Sequence, residues 1–393
     1  MSINQKYIIL ALEIFFLIFF IWFTYYGGFI IGGHFDEGWI ISEDGNNFIQ
    51  SAKLYKEYGL SIFIKSELAR QASLNYIVTI ILIANLMASF NDWLLVFIGI
   101  NLTLFFLSYF ILKNFLFKQF LNQQNYFFLN LILIFIYFSN YENYFYTRFV
   151  LSDCFFSFCT LLLFLKLNSG RRSNVNNFFI FLIAILIFFI NPKFIAVLFY
   201  LIFYLLIKLL IIKNSLINKK NLGISLIFFY LFGQLLWAIL YVNYDLINYL
   251  KGDIFLEIKN FYLDGTIIYK KTNIDYLLNE ISIIKIFYLG ILRSISFFQF
   301  WSIEWDLKHN LVNTISIMPL YLSNVFNIYN FKNYTKINKK IIISVVAMTL
   351  AFTVMASITA VDHDWRYRYP LYTILMIGLI IFFKEKNFKI LKF

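Results

Sequence analysis

The chain has 393 residues, of which 61% are hydrophobic and only 14% charged, with a mean hydropathy of +0.75. Apolar runs long enough to cross about 30 Å of hydrocarbon recur from end to end, which excludes a soluble globular domain and predicts an all-α polytopic membrane protein; β-barrel strands would alternate, and these runs do not. The net charge of +12 does not point to nucleic acid, because the basic residues gather in short connections between the apolar runs.

The first apolar run, 7–26, has no small-residue cleavage site after it and reads as a retained anchor. It is followed by the most polar stretch of the first half, "GGHFDEGWIISEDGNNFIQSAKLYKEYG" (32–59), which carries Asp36, Glu37, Glu43 and Asp44. A helix is predicted within it. Asp44 or Asn46 can cap its start, Phe48, Ala52 and Tyr55 share one face, Gln50, Lys53 and Glu57 point elsewhere, and Gly59 ends it. Such a helix would lie in the membrane interface. The run 76–90 reads as juxtamembrane or re-entrant. Further spans are predicted at 93–112, 126–140, 151–167, 176–190, 194–213, 221–243, 311–329, 341–360 and 369–384. The run 286–302, flanked by Lys285 and holding Arg293, suits an interfacial helix.

Basic clusters sit between these spans: Lys113 and Lys118; Lys166, Arg171 and Arg172; Lys208, Lys213, Lys219 and Lys220; Lys332, Lys336, Lys339 and Lys340; and the tail from Lys384. With the N-terminus inside, ten spans place every cluster on the cytoplasmic side, as the positive-inside rule requires. The connections 27–92, 141–150, 191–193, 244–310 and 361–368 then face outward and hold nearly all the carboxylates. The whole chain, 1–393, reads as one transmembrane domain, with 27–92 and 244–310 as its large outer loops. Cys154 and Cys159 share one apolar run and suit packing better than a bridge or a metal.

Four outward stretches could carry chemistry: "HFDEGW" (34–39), "TRFVLSDCFF" (147–156), "NPK" (191–193) and "VDHDWRYRYP" (361–370). Asp153 opens a span, where an unpaired carboxylate costs several kcal/mol. Arg148, five residues earlier, is its expected partner; a helix-start cap with a structural ion pair explains the same residues. Lys193 follows Pro192 in a tight turn and, alone, reads as a snorkelling lysine. Asp36 and Glu37, alone, are ordinary loop acids. Asp362 or Asp364 can pair with one arginine of Arg366 and Arg368, which leaves Lys193 and the other arginine without an expected partner. His34, His363, Asp362 and Asp364 match no ligand spacing, so no metal is expected.

Taken together, an acidic pair after the first span, R-F-V-L-S-D opening a later one, a Pro-Lys turn and an Arg-Tyr-rich motif before the last span resemble the GT-C glycosyltransferases. The resemblance is to the group containing the aminoarabinose transferase of lipid A and the protein O-mannosyltransferases. It implies inverting transfer of a sugar from a polyprenyl-phosphate donor to a hydroxyl of a glycan, lipid or protein acceptor; some members use a divalent metal, and no cofactor is expected here. It also implies a bacterial cytoplasmic membrane, a site facing outward, and membrane lipids rather than nucleic acid as partners. On matching positions, Asp36 would be the base with Glu37 beside it, Asp153 the second acid, and Arg148, Lys193, Arg366 and Arg368 would face the lipid phosphate. The chain departs from larger relatives in lacking a sizeable C-terminal soluble domain, and it has "QASLNY" (71–76) where relatives often carry a His-Pro-Pro-rich stretch.

The chemistry is consistent with that resemblance. An attacking hydroxyl must lose a proton to a base, and a departing phosphate gains charge that cations stabilise. Two other readings compete. An O-antigen-type polymerase or ligase would favour paired Arg or His in a late loop, whereas 244–310 has mainly Lys and acids. A transporter or flippase would place ionisable residues within spans and show repeated halves, and Glu13 is the main acid inside a span.

Overall fold

Within a bilayer no water satisfies an exposed backbone amide, so a chain this apolar must close its hydrogen bonds within each segment. The computed structural model describes residues 3–26, 43–63, 74–120, 126–169, 174–213, 294, 297, 298, 300, 307–359 and 367–385, and among these there are helices and no strand. The helices are α1 (Ile3–Tyr26), α2 (Glu43–Tyr58), α3 (Ile77–Ser89), α4 (Trp93–Phe120), α5 (Tyr126–Ser139), α6 (Tyr141–Phe145), α7 (Asp153–Asn168), α8 (Asn174–Ile190) and α9 (Phe194–Lys213). After the undescribed stretch come α10 (Leu307–Ser316), α11 (Met318–Tyr329), α12 (Lys336–Thr359) and α13 (Tyr369–Glu385).

Four of the described segments are long and apolar enough to cross a membrane: Ile3–Tyr25, Trp93–Lys118, Asn310–Tyr329 and Lys336–Ser357. The chain is an integral membrane protein. Of the ten expected spans, those at 126–140, 151–167, 176–190 and 369–384 also form helices, but α5, α7, α8 and α13 have 14, 16, 17 and 17 residues. α5 and α7 fall below the roughly 17–25 residues of a span, and α8 and α13 meet its lower limit. The run 76–90 forms α3, of 13 residues, shorter still. The expected span 221–243 and most of the run 286–302 lie outside the described residues. The segment Asn310–Tyr329 is interrupted at Ile317, just before Pro319, which sits in the first turn of α11 and has no N–H to donate. Ile317 carries the chain across the interruption, donating to Asn313 O at 2.7 Å and accepting from Tyr321 N at 3.2 Å.

Burial sorts the helices into a centre and a periphery. Every residue of α13 from Tyr369 to Ile381 is buried, as an all-round apolar helix must be when other helices enclose it. α11 lies against it: Asn324 Nδ2 donates to Leu375 O at 3.1 Å, and Asn327 Nδ2 to Gly378 O at 2.7 Å. The approach is so close at Gly378 that a Cβ there would overlap the Asn324 amide. Ser344 of α12 joins three helices, accepting from Asn168 Nδ2 of α7 at 2.8 Å and lying 2.6 Å from Tyr200 OH of α9. α1 and α8 are peripheral, with Ile14, Phe15, Ile18, Phe178, Phe181 and Leu182 exposed; in a bilayer these contact lipid. Glu13 faces inward from α1, accepting from Tyr109 OH at 2.6 Å and pairing with Lys113.

The helix expected after the first span is α2. Phe48 and Ala52 are fully buried, Gln50, Lys53 and Glu57 are exposed, and Gly59 follows with φ +62°, the left-handed conformation glycine adopts freely. Its start differs from expectation: the helix already runs from Glu43, so Asp44 and Asn46 lie in its first turn. α2 packs on α3, and the small core they share continues into Tyr146, Val150, Leu151, Cys154 and Tyr369.

Candidate functional site

One end of the bundle gathers charge. α1 finishes there, with Tyr25 OH donating to Leu95 O near the start of α4 and Thr24 Oγ1 2.8 Å from Tyr144 OH. The opposite end holds the lysine-rich turns: Lys340 Nζ reaches Leu167 O, and Asn338 bonds Glu385.

The segment between α5 and α7 supplies the first part of the site. Asn140 caps α6, its Oδ1 accepting from Asn143 N at 3.1 Å. A single 3-10 turn over Tyr146–Arg148 follows, and Asn101 of α4 fixes its exit by donating to Thr147 O at 3.4 Å and Phe149 O at 3.0 Å. Arg148 is thereby set above the Phe23 ring of α1, its guanidinium carbon 5.9 Å from the ring centroid. Asp153 opens α7 with no exposure.

The Pro-Lys turn reaches the same place. Asn191 Nδ2 donates to Ser152 Oγ at 2.7 Å, and its Oδ1 accepts from Lys193 N at 2.9 Å, so one amide both docks the turn and shapes it. Lys193 Nζ then meets Asp153 Oδ1 at 2.5 Å, with both side chains buried, and lies 4.9 Å from the centroid of Tyr367. The fold brings Asp153, Lys193 and the start of the last motif, Tyr367 and Arg368, together from three separate connections, and sets Arg148 against Phe23.

One expectation about pairing is corrected: Lys193, expected to have no partner, pairs with the carboxylate of Asp153. The docked turn places the ammonium directly on the carboxylate. Arg368 is likewise partnered, by a residue the sequence reading passed over. Its Nε and Nη2 donate to the two oxygens of Glu142 at 3.1 and 2.6 Å, and its Nη1 to Phe297 O at 3.3 Å. Tyr372 OH donates to the same carboxylate. Arg368 therefore directs its Nε and Nη2 at Glu142, a partner the sequence did not suggest. The only sequence signal for Glu142 is that it is the sole acid in the short connection "NYENYFYTR" (140–148), expected from the sequence to face outward.

Comparison of the chain with protein-family models, curated proteins and solved structures gives no match.

Asp36, Glu37, His34, Asp362, His363, Asp364 and Arg366 lie outside the described residues. Their flanks do not: α1 ends beside Tyr144, α2 packs next to Tyr146 and Leu151, and Tyr367 rests near Lys193. Among the described residues no group of His, Cys, Asp or Glu could hold a metal ion. Cys154 and Cys159 are buried and unbridged, and Tyr369 OH lies 3.6 Å from Cys154 Sγ.

Proposed function

We propose that this protein transfers a sugar from a polyprenyl-phosphate donor to an acceptor hydroxyl, with inversion, at the outer face of the membrane. One observation carries the reading. Four chain segments far apart in sequence, the exit of α1, the 140–153 connection, the 191–193 turn and the start of α13, converge at the bundle end remote from the lysine-rich turns. Lysine-rich turns mark the cytoplasmic side, so the charged layer faces outward, where nucleotide sugars are absent and a lipid carries the sugar. We take the ten-span topology with it.

In this reading Asp36 takes the proton of the acceptor hydroxyl, and Glu37 stands beside it. Asp153 is the second acid and also holds Lys193 in place. Arg148, Lys193 and Arg366 face the donor phosphate, whose charge grows as its bond to the sugar breaks. Arg368 acts one step back, tying the final motif to the 140–153 connection through Glu142.

Binding of a polyprenyl phosphate to the full-length protein in nanodiscs tests the proposal. The wild type should bind it, and Arg148→Ala and Arg366→Ala should each weaken binding by ~1.5–3 kcal/mol, the worth of a charge-assisted hydrogen bond. Arg148→Lys should recover only part, because an ammonium lacks the planar fork. Folded variants that all bind as the wild type does would sink the glycosyltransferase reading.

A further inference from the structure

Away from the charged end, a groove of about 510 Å³ lies between α1, α5, α11 and α13, a volume in the range of small-molecule sites. Every residue lining it is apolar: Leu12 and Phe16 come from α1, Ile132 from α5, Pro319 from α11, and Leu379 and Phe383 from α13, among others. Phe135 lines it too and is 58% exposed, so its mouth opens sideways to the bilayer. Leu12 and Phe16 flank the midpoint of α1, and Pro319 stands at the middle of the segment Asn310–Tyr329, which places the groove in hydrocarbon. On α13 it reaches Phe383, next to Lys384 at the lysine-rich end. Lys6, exposed on α1, stands about 9 Å along the helix from Leu12 in the same direction.

Water finds no polar partner in such a groove, and an empty one forfeits dispersion contacts along its walls. At this depth the bilayer supplies hydrocarbon chains, and the packing decides from which leaflet. Toward the outward end the seam between α1 and α5 is closed, because Phe16 and Phe20 pack on Phe138 with ring centroids 4.9 and 5.6 Å apart. A chain descending from the charged site would meet that aromatic contact. From the lysine-rich end a chain can follow Phe383 and Leu379 up α13 to Pro319, which is the reach of one leaflet from its headgroups to the bilayer centre. At headgroup level it would leave Lys6 and Lys384, while the nearby carboxylate of Glu385 is engaged by Asn338. Two ammonium groups there favour an anionic headgroup.

We propose that the groove between α1, α5, α11 and α13 holds an acyl chain of an anionic phospholipid from the leaflet at the lysine-rich end, with its headgroup beside Lys6 and Lys384. This lipid site is separate from the charged end of the bundle and does not rest on the sugar-transfer reading. The lipid wedges α1 against α13, which the protein's own side chains leave apart at this level.

The test uses the full-length protein in phosphatidylcholine nanodiscs doped with a photoreactive lipid, either phosphatidylglycerol or phosphatidylcholine, that carries a diazirine midway along one acyl chain. After illumination, adducts are mapped by peptide mass spectrometry and normalised to those on the exposed face of α8. Phosphatidylglycerol should label the groove residues of α1, α5 and α13 about fivefold or more above phosphatidylcholine, the effect of even one lysine beside an anionic headgroup. Lys6→Ala with Lys384→Ala should erase that preference. Ile132→Trp, which fills the groove, should cut its labelling by both lipids and leave α8 unchanged; the lysine pair keeps the test open if the tryptophan variant fails to fold. Equal labelling of the groove by the two lipids, a preference that survives the double lysine variant, or a groove labelled no more than α8 would overturn the proposal. Displacement of the label by polyprenyl phosphate, but not by unlabelled phosphatidylglycerol, would overturn it as well and give the groove to a prenyl chain.

Discussion

Replacing Glu142 with glutamine keeps the volume of the side chain and removes the charge that balances Arg368. In the protein both partners are buried, and two donors of the guanidinium meet two carboxylate oxygens at 3.1 and 2.6 Å. Glutamine offers one oxygen and one NH2 group, so one of those donors would face another donor while a full positive charge stayed buried. Breaking a buried pair from one side costs about 3–5 kcal/mol. Against a total stability of order 5–15 kcal/mol, that is a large fraction. Arg368→Met should cost a similar amount, because it leaves the carboxylate with the Tyr372 hydroxyl as its remaining partner among the contacts described. The double variant Glu142→Gln with Arg368→Met removes both charges and should be less than about 2 kcal/mol from the wild type, which makes the coupling about 3 kcal/mol or more. Reversible unfolding in mixed micelles with increasing SDS, followed by tryptophan fluorescence, reads all three. Glu142→Gln within about 0.5 kcal/mol of the wild type, or a double variant as unstable as the two singles combined, would refute the clamp.

Because the native Cys154 and Cys159 are buried, introduced cysteines can report sidedness without background. Cysteines at Ser42 and Asp264 should label from outside and one at Lys339 only after permeabilisation; external labelling at Lys339 would reverse the orientation. Gly378→Ala drives a Cβ into the Asn324 amide and should lose ~1–3 kcal/mol in the same unfolding assay, with Asn324→Ala in that background restoring part of it. An unchanged Gly378→Ala protein would mean that α11 and α13 are not packed this closely. Asp36→Asn should leave folding and donor binding intact while turnover falls ~10²–10⁴-fold, and Glu37→Gln should matter less, since adjacent side chains cannot both reach one hydroxyl. Near-normal transfer by Asp36→Asn would reject it as the base.

The helix after the first span was readable in its faces and its end, though not its start, because those signals are local: buried Phe48 and Ala52, exposed charges between them, and a glycine that can turn left at the end. The spans were readable in place but not in depth. Hydropathy measures a run and not its surroundings, so α13, buried from Tyr369 to Ile381, looks in sequence the same as α1, whose Phe15 and Ile18 are exposed. The pairing of charges was the least legible. Lys193 had no expected partner, yet it pairs with Asp153, 40 positions earlier, because the bond between Asn191 and Ser152 docks its turn there. Glu142 had no motif around it, and only the return of α13 to α6, 226 positions later, shows what it does.

The same pairs explain how a chain so uniformly apolar can settle on one arrangement of helices. Among lipid tails, a leucine gains little by choosing another helix over the bilayer, so apolar faces alone do not decide which helices become neighbours. A buried carboxylate or amide does decide, because the wrong neighbour leaves it unsatisfied. Glu13 commits α1 to α4 through Tyr109 and Lys113. Asn324 and Asn327 commit α11 to α13, and Ser344 commits α12 to α7 and α9. Asp153 and Lys193 tie the start of α7 to the turn before α9, and Glu142 and Arg368 tie α6 to α13. The last two pairs lie in the candidate site itself. The interactions that register the bundle at that end are therefore the ones that hold Arg148, Lys193 and the Arg-Tyr motif together, so loss of the Glu142–Arg368 pair should loosen the site before it unfolds the rest of the protein.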